Sequence, residues 1–214
     1  MGKAYANRKK ESERPIGDFY QTPKSLVTEL LNTRDEKLGS YIFDVRNSND
    51  KILDPCCGKY AIGNTIRNHN ENCATLNITE KDIMYGDDFL IKDDNGNIII
   101  DDNEHWDCII MNPPFKLFND FVKKSKIIAD KVYCIGKMDY FCTHDRNVEN
   151  LWEHLEWVLP FDRKVAYDKP FREDGKVDVG MLNSCWLVWN KNYNGYPKIK
   201  VLDVDKYVLR KSEK

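Results

Sequence analysis

Residues 106–115 read Trp106-Asp107-Cys108-Ile109-Ile110-Met111-Asn112-Pro113-Pro114-Phe115, an apolar run that stops at two consecutive prolines. The run suits a central strand covered on both faces. Pro113 and Pro114 fix φ and remove two backbone donors, so the chain leaves the strand through a rigid turn that a helix cannot absorb. Leu117, Phe118, Phe121, Val122 and Ile128 then recur at helical spacing, and Val132 to Ile135 predicts the next strand.

Upstream, Lys51-Ile52-Leu53 enters Asp54-Pro55-Cys56-Cys57-Gly58 and a helix predicted over about Ala61 to Asn70, a second strand-turn-helix unit. Thr22-Pro23 predicts a helix start, with Thr22 as N-cap, Pro23 in the first turn, and Leu26, Val27, Leu30 and Leu31 on the apolar face. Short strands are expected near Ala74 to Ile78 and Ile83 to Tyr85, and a hairpin turn at Asp93 to Asn97 within an acidic excursion. A helix around Val148 to Leu155, a loop-rich stretch from Phe161 to Val179 and a strand at Cys185 to Trp189 complete the pattern. This alternation predicts an α/β fold with a doubly wound, mostly parallel sheet, whose ligands bind beyond the carboxyl ends of the strands. The turns after Leu53 and Met111 both fall at such ends.

With 214 residues, 41% of them hydrophobic, the chain suits one domain over 15–214, preceded by a flexible basic arm at 1–14 that carries Lys3, Arg8, Lys9, Lys10 and Arg14. No run approaches the roughly 20 apolar residues of a membrane span, and the basic start lacks the apolar stretch of a signal peptide, so a cytoplasmic protein is expected. Seven cysteines without a CxxC pair predict free thiols, and four scattered histidines predict no metal site. A formal net charge of −2 provides no global attraction for nucleic acid, so such binding rests on local basic patches.

The chemistry of residues 112–115 is specific. An aromatic amine is a poor nucleophile because its lone pair is delocalised into the ring. The Asn112 side-chain carbonyl and the Pro113 backbone carbonyl are two acceptors that can converge on one NH₂ group, draw it toward tetrahedral geometry and aim its lone pair. Phe115 can stack on a base that has left its helix. Neither Cys56 nor Cys57 has a histidine suitably placed to activate it, so both are read as small packing residues.

Asn112-Pro113-Pro114-Phe115 resembles the catalytic motif of the amino-group DNA methyltransferases, in particular the adenine-N6 enzymes of phage-borne and restriction-type systems; serine in the first position is more typical of the cytosine enzymes. Phe19-Tyr20-Gln21-Thr22-Pro23 resembles the amino-terminal cofactor segment of that family, and Leu53-Asp54-Pro55-Cys56-Cys57-Gly58 resembles its cofactor loop, so the likeness spans about residues 18–136. It implies S-adenosylmethionine as cofactor, with Phe19, Tyr20, Thr22, Pro23, Asp54, Cys56 and Gly58 around it. Asp54 would meet the methionine ammonium, Glu80 the ribose hydroxyls with Asp82 competing for that place, and Asp88 and Phe89 the adenine. It also implies DNA as substrate, double-stranded with a flipped adenine.

One departure is notable: the family usually has a second glycine two positions after Gly58, where this chain has Tyr60. A ring at that point is expected to crowd the cofactor. Phe161, Tyr167 and Phe171 lie among Arg163, Lys164, Lys169 and Arg172, a mixture suited to stacking and phosphate contact, so a recognition loop is placed within 160–180 and Tyr167 is chosen as the second wall of the base pocket. Lys116, beside the motif, is assigned to substrate, whereas Lys123, Lys124, Lys126 and Lys131 are expected to solvate an outer face. The motif also suits an RNA base or a protein glutamine amide as acceptor, and the altered loop suits a non-catalytic nucleic-acid-binding relative. No large separate target-recognition domain fits the chain.

Overall fold

A computed structural model describes residues 21–45, 48–101, 103–165, 167, 180 and 182–204. In chain order these form α1 (Lys24–Asn32), β1 (Ile52–Asp54), α2 (Ala61–Arg67), α3 (Glu71–Ala74), β2 (Ile78–Glu80), β3 (Trp106–Met111), α4 (Phe118–Ile128), β4 (Ala129–Lys137), α5 (His144–Val148), β5 (Leu155–Pro160), β6 (Ser184–Asn190) and β7 (Lys198–Ile199). The expected arm at 1–14, Phe19, Tyr20 and most of the 160–180 loop lie outside the described residues.

The strands build a seven-stranded sheet in the order β2-β1-β3-β4-β6-β5-β7. β1 pairs in parallel with both β2 and β3, β3 with β4, and β5 with β7, while β6 runs antiparallel between β4 and β5. The mostly parallel, doubly wound α/β expectation is borne out. Strand order reverses between β1 and β3: the chain proceeds outward from β1 to β2 on one side, and from β3 to β4 on the other. Such a switch point leaves a crevice beyond the carboxyl ends of the two strands, because the connections that follow them diverge.

Side chains sort to the two faces with period two. Ile52, Cys108, Ile110, Tyr133, Ile135, Trp186 and Val188 join one buried cluster with Leu26, Val27, Leu30 and Leu31 of α1 and Ile62 and Ile66 of α2. Leu53, Ile109, Met111, Val132, Cys134, Leu187 and Trp189 join the other, with Phe118, Phe121, Val122 and Ile128 of α4. Both faces are therefore covered, which is why the central strands read as unbroken apolar runs. Trp186, fully buried, donates its indole N–H to the Leu26 carbonyl at 2.9 Å and so fastens α1 to β6. Trp186→Phe removes this donor and part of the ring; the expected cost is about 1–2 kcal/mol, measured as a lowered denaturant midpoint with unchanged slope.

Four local expectations are corrected. Residues 71–74 are helical and the strand begins at Ile78, because Asn70 caps α3 by accepting from the Cys73 N–H at 2.9 Å. Ile83–Tyr85 is a 3₁₀ turn, not a strand, with Asp82 accepting from the Met84 N–H at 2.9 Å. The helix expected over Val148 to Leu155 ends at Val148, since Asn150 and His154 take left-handed φ values of 51° and 63° and the chain then enters β5. Lys124 does not solvate an outer face: it is buried and donates to the Ile99 carbonyl at 3.0 Å, holding the acidic excursion against α4. The turn within that excursion is as expected, with the Asp93 N–H donating to the Asn97 carbonyl at 2.9 Å and Gly96 at φ 83°.

Candidate active site at the sheet switch point

The crevice beyond β1 and β3 holds a cavity of about 360 Å³, within the usual range for small-molecule sites. Thr22, Cys56, Asp88, Phe89, Asn112 and Pro114, all singled out in the sequence, line it together. Chain segments far apart in sequence meet there because the two strand ends are neighbours in the sheet.

From β1 the chain turns through Asp54 to Gly58, whose φ of 53° lies in the region that glycine enters without steric cost. Asp54 is fully buried; its Oδ1 accepts from the Cys56 N–H at 3.2 Å, and its Oδ2 has no hydrogen-bond partner among the described residues. Burial pushes the Asp54 carboxyl well above its ordinary range, with Glu80 and Asp82 adding repulsion. Burial likewise raises the Cys56 and Cys57 thiols, Cys57 to about 12, so both stay protonated at neutral pH and are poor nucleophiles. All seven cysteines are unbridged.

The loop is clamped by the turn after β2. The Gly58 N–H donates to Asp82 Oδ2 at 2.8 Å, the Cys57 N–H to the Lys81 carbonyl at 3.0 Å, and the Tyr85 hydroxyl to the Gly58 carbonyl at 2.9 Å. Tyr60, at φ 60°, does not enter the cavity. Its ring stacks on Tyr85 with centroids 5.4 Å apart and planes 8° from parallel, and is 38% exposed. The left-handed backbone turns the ring away from the cavity lining, and an aromatic contact of this kind offsets the conformational strain of a non-glycine residue there.

Asp82 lines the cavity and Glu80 does not. Glu80 instead pairs with Arg67 at 2.5 Å and lies against Gly63, where an added Cβ would meet Glu80 Oε1 at 2.1 Å. Asp88 Oδ1 accepts from the Leu90 N–H at 2.8 Å, which shapes the segment that brings Phe89 onto Phe121, centroids 5.2 Å apart.

On the other side of the crevice, Asn112 leaves β3 half-buried and its Nδ2 donates to Thr22 Oγ1 at 3.1 Å. Pro113 is buried, and Pro114 accepts from the Leu117 N–H at 2.9 Å to close the 3₁₀ turn Phe115–Leu117. Phe115 lies outside the cavity lining, with the Lys137 ammonium 3.8 Å from its ring centroid and the Tyr140 hydroxyl 3.5 Å from its carbonyl. Thr22 does not cap α1; Pro23 occupies the N-cap position and the cap carries no side-chain bond.

Two residues assigned to substrate lie elsewhere. Lys116 is exposed beside the turn. Tyr167 is buried in the cluster that contains Trp186 and Leu202, and burial pushes its hydroxyl well up. Sequence reasoning did not select Gln21, which lines the cavity with a buried Oε1 that has no partner among the described residues, nor Ile83 and Met84, which also line it. Gln21 stands inside the quoted amino-terminal segment, which is the one signal that pointed to it. Far from the crevice, where β3 and β4 begin, exposed His105 and Asp107 and half-buried Asp130 bring ligand-type atoms within 4.8 Å of one another; Lys191 is also 3.7 Å from Asp130. No helix among the described residues is long and apolar enough to cross a membrane.

No family model matches this chain, and no curated protein matches it. Solved structures do. A type I restriction-modification system methyltransferase subunit from Streptococcus thermophilus aligns at TM-score 0.56 and 10% identity, over 87% of this chain and 48% of that one. A protein from Pyrococcus horikoshii provisionally named an RNA methyltransferase aligns at TM-score 0.49 and 14% identity, over 84% and 90% of the two chains. A predicted O-methyltransferase from Agrobacterium tumefaciens aligns at TM-score 0.44 and 12% identity, over 84% and 86%. At these identities the likeness concerns the fold alone: this chain shares the Rossmann-like α/β architecture of the restriction-modification methyltransferase subunit, the alignment above TM-score 0.5 among these three.

Proposed function

We propose that this chain transfers a methyl group from S-adenosylmethionine to the N6 amino group of adenine in DNA. The observation that carries this reading is that Asn112, beyond β3, and the loop after Asp54, beyond β1, open on one cavity. The residues there fit the cofactor. Asp54, fully buried and outside the lining with its Oδ2 unpartnered among the described residues, suits an ammonium group. Asp82 lines the cavity while Glu80, held by Arg67 through Oε2 and with its Oε1 unpartnered among the described residues, stands outside the lining, and these two acids compete for the ribose hydroxyls. Asp88 and Phe89 suit an adenine amino group and ring. S-adenosylmethionine bound there supplies an electrophilic methyl group.

Asn112 and Pro113 then act on the acceptor. Their carbonyls take hydrogen bonds from the target NH₂ and hold its lone pair toward the crevice, so most of the rate comes from positioning. Phe115 stacks on the base, which must first leave the duplex, and the entering base displaces the Lys137 ammonium from the ring face. Asparagine at position 112 favours adenine over cytosine by the resemblance stated above.

Radiolabelled methyl transfer tests this with unmethylated DNA, RNA and protein offered in parallel, followed by nucleoside and amino-acid analysis. The expected product is N6-methyladenine in DNA. Label found in RNA or in glutamine overturns the acceptor, and binding of S-adenosylmethionine without any transfer overturns the activity.

A further inference from the structure

The hydrogen bond between Thr22 and Asn112 joins residues 90 positions apart across the crevice. Thr22-Pro23 is the pattern of a helix cap, yet the Thr22 hydroxyl does not cap α1, since Pro23 takes the cap position with its carbonyl accepting from the Leu26 N–H at 3.1 Å and no side-chain bond there. The hydroxyl is 7% exposed at the level of its residue, lines the cavity, and accepts from Asn112 Nδ2 at 3.1 Å. It is also held firmly. The buried face of α1 packs Leu26, Val27, Leu30 and Leu31 into the core, and Trp186 bonds the Leu26 carbonyl in the first turn after Thr22.

A side-chain amide has two chemically opposite ends of nearly the same size, and only its oxygen can accept from an amine. If the Asn112 amide were rotated by half a turn, it would present N–H groups to the N–H groups of the target and hold nothing. We propose that Thr22 is the positioning residue that holds the Asn112 amide at the crevice. Its hydroxyl engages the amide at Nδ2, the arrangement that leaves Oδ1 to the acceptor amine. The assignment deepens the adenine-N6 reading and rests on it for its catalytic consequence; the amide orientation itself does not depend on the substrate.

Two variants of the full chain test it, Thr22→Val, which keeps the shape and removes the acceptor, and Thr22→Ser, which keeps the hydroxyl. Three readouts are taken: methyl-transfer kinetics on DNA, S-adenosylmethionine affinity by calorimetry, and hydrogen exchange of the Asn112 side-chain NH₂ in protein labelled with ¹⁵N-asparagine, its signal identified by loss in Asn112→Ala. Thr22→Val is expected to lower kcat about 10- to 100-fold, the scale of a misplaced catalytic group. Thr22 also lines the cavity that receives the cofactor, so Kd is expected to rise by a smaller factor than kcat falls. The Asn112 NH₂ should exchange faster, and Thr22→Ser should restore both kcat and exchange. An unchanged kcat in Thr22→Val, an equal loss in Thr22→Ser, a loss confined to cofactor affinity, or an unmoved Asn112 signal each overturns the assignment. A wild-type protein that methylates no acceptor overturns the adenine reading instead, and the exchange of the Asn112 NH₂ then decides the Thr22 assignment on its own.

Discussion

Asn112→Ala is expected to lower kcat for methyl transfer by about 10²- to 10³-fold, the usual cost of deleting one preorganised polar group at a reacting centre. The side chain reaches the cavity from the end of β3 and is anchored at Thr22, so its carbonyl is in place before substrate arrives. Alanine removes the carbonyl and leaves the Pro113 carbonyl as a single acceptor, which cannot by itself pull the amine out of the plane of the base. Cofactor affinity should change little, because Asp54, Asp82, Asp88 and Phe89 are untouched. The lost bond to Thr22 should cost only about 1 kcal/mol of stability, so the variant remains folded and the comparison is fair. Single-turnover rates at saturating S-adenosylmethionine measure the effect, and wild-type rates in Asn112→Ala would remove Asn112 from the mechanism.

Asp54→Asn is expected to make the free protein more stable at neutral pH while weakening cofactor binding. The wild-type carboxyl is fully buried, has an Oδ2 unpartnered among the described residues and lies near Glu80 and Asp82, so its folded pKa is raised well above its ordinary value of 3.8. A raised folded pKa means that the contribution of this group to stability is complete below about 3.8 and is lost as pH climbs toward the folded value. Asparagine keeps the acceptor for the Cys56 N–H and does not ionise, so its advantage opens as pH rises above that point and closes below it. At pH 7 the gain should be about 1–2 kcal/mol, a rise of several degrees in Tm for a chain of this size. In the proposed function the same change removes the partner of the methionine ammonium, and calorimetry should find affinity lowered about tenfold or more. A variant less stable than wild type at pH 7, or one with unchanged affinity, contradicts this account of Asp54.

The strands that could be read from sequence are those covered on both sides. β1, β3, β4 and β6 stand between the two buried clusters, and this demands unbroken apolar runs that are visible without coordinates. β5 was hidden because Leu151, Trp152 and Leu155 imitate helical spacing, and because a bulge between Leu155 and Trp157 reverses the alternation of faces. Leu155 accordingly joins one cluster and Trp157 the other, although they are two residues apart. Ile83 to Tyr85 looked like a strand from their apolar character alone, yet all three are exposed and the turn is set by the Asp82 carboxylate.

What the sequence determined by itself was the α/β alternation, the rigid turn at Asn112-Pro113-Pro114-Phe115 and the loop after Asp54, since each depends on local chain stiffness or on a run of buried residues. The tertiary structure alone decided which side chains face the crevice. Asp82 is turned in and Glu80 out because Arg67 and Gly63 lie over the latter; Tyr60 is drawn outward by Tyr85; and the Thr22 hydroxyl is left to Asn112 because Pro23 takes the cap position. The reason is that backbone periodicity is local, whereas the direction of a polar side chain is set by whichever partner the sheet order brings beside it.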